Sequence, residues 1–221
     1  MCSIYGSKNR TLFNILHDAT RERGVYAFSA AFLDHTNRKL KLHRQHGHPK
    51  DVEKLEPVSD ASMFLGHNQA PTSSARDYDK STSHPFVVDN WVVAHNGVLT
   101  NHVDLNKQHC VWNKNPVDTS VIPNLLHVFE QKKPDASEEE IICNVLGMLE
   151  GTFALWIFND KTGNVFIARQ GSTLFANPTT GDFCSIESKG WIEVPEGKLI
   201  KVTTEYQVAG EFNSTSPFFT L

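Results

Sequence analysis

The sequence predicts an α+β fold, because strand patterns occupy both ends of the chain and amphipathic helices fill the middle. Short apolar runs rich in β-branched and aromatic residues occur at 26–33, 86–96, 152–159 and 164–169. Helical spacing of apolar residues recurs at 11–23, 118–129 and 137–149. No internal repeat, low-complexity tract or linker separates these blocks. The 221 residues therefore read as a single domain, 1–221, long enough to bury a proper core.

In chain order, Ser3 to Tyr5 form a short strand broken by Gly6. Leu12, Ile15, Leu16 and Ala19 lie on one face of the first helix, which Gly24 stops. Segments 26–33 and 39–46 pair around the polar connection Asp34-His35-Thr36-Asn37, and 48–60 reads as loop with a short helix. Met63 to Gly66 is a buried strand that enters a long polar loop, 68–84, of the kind that carries function in a compact domain. Segment 86–96 is a hairpin ending at Asn96-Gly97, followed by a short helix at 101–107. Ile122, Leu125, Leu126 and Phe129 line the next helix, where Pro123 is tolerated in the first turn behind a Ser120 N-cap. Ser137 and Glu140 form a capping box for a helix through 149, whose apolar face is Ile142, Val145, Leu146 and Leu149. Strands then follow at 152–159, 164–169, 183–187 and 198–203, with Asp160 to Gly163 as the first turn between them.

Composition excludes several function classes. A net charge of −4 gives no basic patch for nucleic acid or membrane lipid. No apolar run reaches the ~18 residues that span a bilayer, and no secretion signal precedes the first strand. Cys2, Cys110, Cys143 and Cys184 lack a disulfide framework, and the expected compartment is the reducing cytoplasm. His43, His46 and His48 lie on or beside one strand, but His43 and His48 alternate in face and no Cys or carboxylate joins them; no metal is expected. There is no phosphate-cradling glycine loop and no dinucleotide fingerprint, so no cofactor is expected.

Chemistry concentrates at the start of the chain and in three polar clusters at strand ends. Cys2 follows an initiator methionine and is small enough for that methionine to be removed. An exposed α-amine would then share a residue with the thiol, and amines of this kind titrate at about 7.7–8.0, where they can take the thiol's proton. The clusters are Gly66 to Ser74, Ala94 to Asn101 and Val117 to Ile122. In the second, the Asn96 amide and the Gly97 N–H can form a pair of oxyanion donors, although local sequence alone favours an Asn-Gly hairpin turn. Asp118 reads locally as a helix-entry residue.

In combination, Met1-Cys2-Ser3-Ile4-Tyr5-Gly6, Leu65 to Ser74, His84-Pro85-Phe86, Ala94-His95-Asn96-Gly97-Val98-Leu99-Thr100-Asn101, Asp118 to Ile122, Gly151 to Leu155 and Ala168-Arg169 resemble, in order, class II glutamine amidotransferase (glutaminase) domains of the N-terminal-nucleophile hydrolase superfamily. The resemblance implies a four-layer αββα sandwich of two mostly antiparallel sheets flanked by helices. It implies Cys2 as nucleophile, Asn96 and Gly97 as oxyanion donors, Asp118 as partner of the substrate α-ammonium, and Thr72 as a hydrogen-bond donor to its carboxylate. His67, His84 and His95 are structural in this reading. The chain ends about where such a domain ends, so the expectation is a stand-alone glutaminase subunit that gives ammonia to a separate synthase. An amidohydrolase acting on another γ-glutamyl or amide substrate, and a catalytically silent partner-binding module, are the alternatives.

One position departs from the family pattern. Gln69 stands where these domains usually carry an arginine that grips the substrate carboxylate. Charge-assisted bonds contribute about 1.5–3 kcal/mol against about 0.5–1.5 for neutral ones, so the loss is worth about tenfold in affinity. Glutamine then binds weakly, or Arg76 supplies the cation, or the substrate lacks the carboxylate. Under the weak-anchor reading, Gln69→Arg lowers the glutamine KM in a steady-state assay; an unchanged KM or lost turnover contradicts it.

Overall fold

The computed structural model describes residues 1–34, 39–50, 52–55, 61–70, 78–111, 113, 115–203 and 206–214. The strands are β1 (Ser3–Ser7), β2 (Ala27–Asp34), β3 (Lys39–His46), β4 (Ala61–Gln69), β5 (Phe86–Val88), β6 (Trp91–Leu99), β7 (Gly151–Asn159), β8 (Asn164–Gln170), β9 (Phe175–Ala176), β10 (Phe183–Cys184), β11 (Ile192–Glu193), β12 (Lys198–Lys201) and β13 (Gln207–Glu211). The helices are α1 (Arg10–Thr20), α2 (His102–Gln108), α3 (Val121–Lys132) and α4 (Glu138–Leu146). One sheet has the order β11-β9-β10-β1-β4-β2-β3 and the other β13-β12-β8-β7-β6-β5. Every pairing between these strands is antiparallel.

Three apolar layers separate four structural layers. Phe13 and Leu16 of α1 pack with Tyr5, Phe28, Phe32 and Phe64 on the outer face of the first sheet. Ile4, Leu33, Met63 and Leu65 meet Val92, Ala94, Trp156 and Ile167 between the sheets. Leu105 of α2 joins Ile122, Leu125 and Leu126 of α3 and Ile142, Val145 and Leu146 of α4 over the outer face of the second sheet. This is the αββα sandwich expected. Because both faces of each sheet are covered, central strands read as continuous apolar runs; β2 is buried throughout. The Trp156 indole N–H reaches across the middle layer to the Gly66 carbonyl, 3.2 Å away.

Several local expectations need correction. The buried stripe of α1 is Phe13, Leu16, His17 and Thr20, whereas Ile15 is exposed. The aromatic cluster around Tyr5 captures Phe13, and a buried polar network captures His17 and Thr20. In that network Asn68 Nδ2 donates to Thr20 Oγ1 at 2.9 Å, leaving Asn68 Oδ1 to accept from the Tyr5 hydroxyl at 3.1 Å. Its proton spent, the hydroxyl accepts from His17 Nδ1 at 2.9 Å. Burial pushes the His17 pKa down to about 4, which keeps that imidazole neutral.

Asn96-Gly97 lies inside β6, which runs on to Leu99, and the hairpin turns at Asp89-Asn90. The strand expected at 183–187 stops at Cys184, and β9, β11 and β13 went unread because two of them are two residues long and β13 is largely exposed. Helix α4 ends at Leu146 rather than at 149. Ser137 does cap it, accepting from Glu140 N at 3.1 Å. Ser120 occupies the N-cap of α3 without capping, because its hydroxyl donates to the Val117 carbonyl at 2.6 Å. Of the polar connection Asp34-His35-Thr36-Asn37, residues 35–37 lie outside the described residues. No helix among the described residues is long and apolar enough to cross a membrane.

Candidate active site

Cys2 sits at the entry of β1, the strand between β10 and β4. The register Ser3↔Asn68 brings it beside the end of β4, where the Ala70 N–H donates to Cys2 Sγ at 3.3 Å. Burial raises the thiol pKa above its usual value, against the lowering effects of the Ala70 bond, the chain-terminal charge and Arg23; the Asp118 charge raises it further. The thiol therefore holds its proton at neutral pH and needs a base to attack anything.

Two cavities meet at this thiol, sharing Cys2, Ala70, Gly97 and Val98. The smaller, about 380 Å³, continues past Asn96 to Thr152, Ser172 and Thr173, with Met1 in its wall. The larger, about 480 Å³, continues past Gln69, His84, His95 and His102 to Asp118. Five of the sequence-derived site residues, Cys2, Gln69, Asn96, Gly97 and Asp118, thus line one cleft. Thr72 and Arg76 fall outside the described residues.

Asn96 and Gly97 are brought here by the pairing of β6 with β7, Asn96↔Ala154 and Gly97↔Phe153. Gly97 has a φ of 152°, and a Cβ there would collide with the Thr152 carbonyl oxygen and lie 2.7 Å from His95 Nε2. Only glycine fits, for reasons of both conformation and space. Asp118 opens a 3₁₀ turn, Asp118–Ser120, ahead of α3. Its Oδ2 accepts from Leu99 N and its Oδ1 from Thr119 N, each at 2.8 Å, so it locks the end of β6 to the turn while lining the cleft. Asp118 is thus the turn-entry residue expected from local sequence, and it also lies in the cleft wall.

Sequence reasoning missed Ser185 and Arg23. Ser185 Oγ accepts from Ile4 N at 2.9 Å and from Asn96 Nδ2 at 3.5 Å, tying the start of β1 to the Asn96 amide. Arg23 donates to the Ser185 carbonyl at 3.1 Å and contacts Met1 Sδ at 2.9 Å, which sets its cation close to Cys2. No motif announces either, since both act through tertiary contacts.

Gln69 is buried in the wall of the larger cavity, and its Oε1 has no hydrogen-bond partner among the described residues. The described residues lining that cavity include no Lys or Arg. Elsewhere, Asp89, His127 and Glu130 are spaced as metal ligands could be. Lys161 already pairs with Glu130 at 3.0 Å and with Asp89 at 3.8 Å, and the Trp91 indole N–H donates to Glu130 at 3.0 Å.

A family model described as a glutamine amidotransferase domain matches residues 73–183. The chain belongs to the class II glutamine amidotransferase family. Its sequence is 27% identical over 191 residues to a 7-cyano-7-deazaguanine synthase of Saccharolobus solfataricus, covering 79% of this chain and 40% of that protein. It is 26% identical over 234 residues to a glutamine–fructose-6-phosphate aminotransferase (isomerizing) of Wigglesworthia glossinidia brevipalpis, covering 97% of this chain and 38% of that one. The chain therefore spans about two-fifths of the length of these relatives. Among solved structures, the glutamine phosphoribosylpyrophosphate amidotransferase of B. subtilis superposes with a TM-score of 0.67 at 19% identity, over 90% of this chain and 46% of that one. A glutamine aminotransferase class-II domain protein from Silicibacter pomeroyi superposes at 0.60 and 14% identity, over 96% and 99% of the two chains. At these identities the superpositions establish the fold.

The tight seat of Gly97 yields a direct test. Gly97→Ala is expected to destabilise the protein by about 1–3 kcal/mol, the usual cost of overpacking, read as a lower urea midpoint. An unchanged midpoint would mean that β6 and β7 are not in the close approach described.

Proposed function

We propose that this chain is a glutaminase subunit in which removal of Met1 exposes Cys2 as the nucleophile. The observation that carries this reading is the position of Cys2 at the meeting point of two cavities, with the Asn96 amide on one side and the Asp118 carboxylate on the other. The Cys2 sulfur attacks the side-chain amide carbon of glutamine, and its proton passes to the Cys2 α-amine. The resulting oxyanion is held by Asn96 Nδ2 and the Gly97 N–H. Asn96 exchanges a long contact with Ser185, 3.5 Å, for this stronger one.

As the tetrahedral adduct collapses, the C–N bond breaks, the α-amine returns the proton to the departing nitrogen, and ammonia leaves a thioester. Water then attacks the thioester, releasing glutamate and restoring the thiol. Asp118 faces the larger cavity and pairs with the substrate α-ammonium; its two backbone N–H bonds hold it still for that purpose. Thr72 and Arg76 are assigned to the carboxylate end from the sequence. The ammonia is passed to a synthase, in keeping with the synthase and aminotransferase names of its longer relatives.

A second reading has one specific observation in its favour. The described wall of the larger cavity offers neutral Gln69 and no Lys or Arg to a carboxylate, which suits an amide substrate that lacks the α-carboxylate.

An electrophilic glutamine analogue separates these possibilities by mass spectrometry. The expected adduct is on Cys2, in protein lacking Met1, and excess glutamine prevents it. Correctly processed protein that gains no adduct refutes the glutamine-specific mechanism.

A further inference from the structure

Three histidines, His67, His84 and His95, are buried beside the site, and Thr119, itself buried, bridges two of them. Its Oγ1 is 2.9 Å from His84 Nε2 and 3.0 Å from His95 Nδ1. A hydroxyl has one proton to give and can accept others. His95 Nε2 faces the Thr152 carbonyl at 3.2 Å, an acceptor only, so that nitrogen carries a proton. Burial lowers the His95 pKa, which keeps the ring from taking a second proton. Its Nδ1 is therefore bare and receives the Thr119 proton.

With that proton spent, Thr119 Oγ1 can only accept from His84, which must be protonated on Nε2. The other candidate for the hydroxyl proton, Asp118 Oδ1, is 3.4 Å away and already accepts from Thr119 N. Donation there would leave His95 Nδ1 unsatisfied unless the ring became cationic. His67 repeats the pattern: its Nε2 donates to the His95 carbonyl at 3.1 Å, and its ring stacks on His84 with centroids 4.0 Å apart. Burial pushes the His67 pKa down to about 3.

This arrangement bears on the oxyanion turn because Gly97 is wedged between the Thr152 carbonyl and the His95 ring. A His95 ring of the other tautomer would turn a lone pair toward that carbonyl and be expelled from its seat. We propose that the Thr119 hydroxyl is a positioning residue for the reaction, holding His84 and His95 with their protons on Nε2 and so fixing the His95-Asn96-Gly97 turn in the geometry that receives the oxyanion. The assignment rests on the glutaminase reading above. It gives these two histidines a role in aiming donors, and none in accepting the thiol's proton.

Thr119→Val keeps the shape of the side chain and removes the hydroxyl. In processed protein its kcat for glutamine hydrolysis is expected to fall about tenfold to hundredfold, the scale of a small misplacement of reacting groups. KM should stay within about threefold, because Asp118 keeps both of its backbone bonds and ground-state binding is retained. Thr119→Ser, which restores the hydroxyl, should recover the lost rate. Long-range ¹H–¹⁵N NMR of the imidazoles is expected to show Nε2–H at all three histidines in wild-type protein and to lose it at His84 or His95 in Thr119→Val.

A wild-type kcat in Thr119→Val overturns the proposal. So does an Nδ1–H tautomer or an imidazolium at His95 in the wild-type protein. If wild-type protein shows the three Nε2–H tautomers but hydrolyses no glutamine, the glutaminase reading fails and the proton order stands.

Discussion

The start of a chain is ordinarily its loosest part, but here it is a central strand. Ser3–Ser7 is buried along its whole length, with β4 on one side and β10 on the other. Ile4 fills the layer between the sheets and Tyr5 the layer beneath α1, so two of the three apolar cores depend on neighbouring residues of one short strand. That burial, with the Ala70 N–H bond to Cys2 Sγ, anchors the residue immediately outside the strand. Cys2 inherits its position from Ile4 and Tyr5, and chain-end freedom, which would otherwise have to be lost on binding, is already removed by folding.

The cleft then follows from where the other strands end. Strand β4 delivers Gln69 and Ala70 beside the thiol, and β6 delivers Asn96 and Gly97. The 3₁₀ turn at Asp118 is latched to the end of β6 through Leu99 N. Ser185, following β10, bridges the first strand to the Asn96 amide, so groups on both sheets are referred to one another by backbone and hydroxyl bonds. A cleft built in this way has polar groups fixed before any ligand arrives, the arrangement by which donors act most strongly on developing charge.

Much of this was legible in the residues. The α+β class follows from periodicity, and Cys2, Asn96, Gly97 and Asp118, which the family resemblance singles out, line one cleft. What escaped was set by contacts remote in sequence. The α1 stripe rotates away from Ile15 because Tyr5 on β1 supplies partners for Phe13 and His17, and Asn68, remote in sequence on β4, supplies one for Thr20. Asn96-Gly97 reads locally as a turn, and only pairing with β7 shows that it continues a strand. Ser185 and Arg23 belong to no motif, and the Thr119 hub exists only once β4, β6 and the Asp118 turn converge. Thr72, implied by the resemblance, and Arg76, offered as a substitute for the missing arginine, lie outside the described residues.

The central claim is that a thiol raised in pKa by burial becomes a nucleophile when, and only when, its own residue supplies the base. Ammonia release from glutamine, compared between protein processed to Cys2 and the same chain retaining Met1, tests this most directly. The account predicts turnover in the processed protein and none above background in the Met1-retaining protein. Equal rates in the two would contradict it, because another group would then have to take the proton from Cys2.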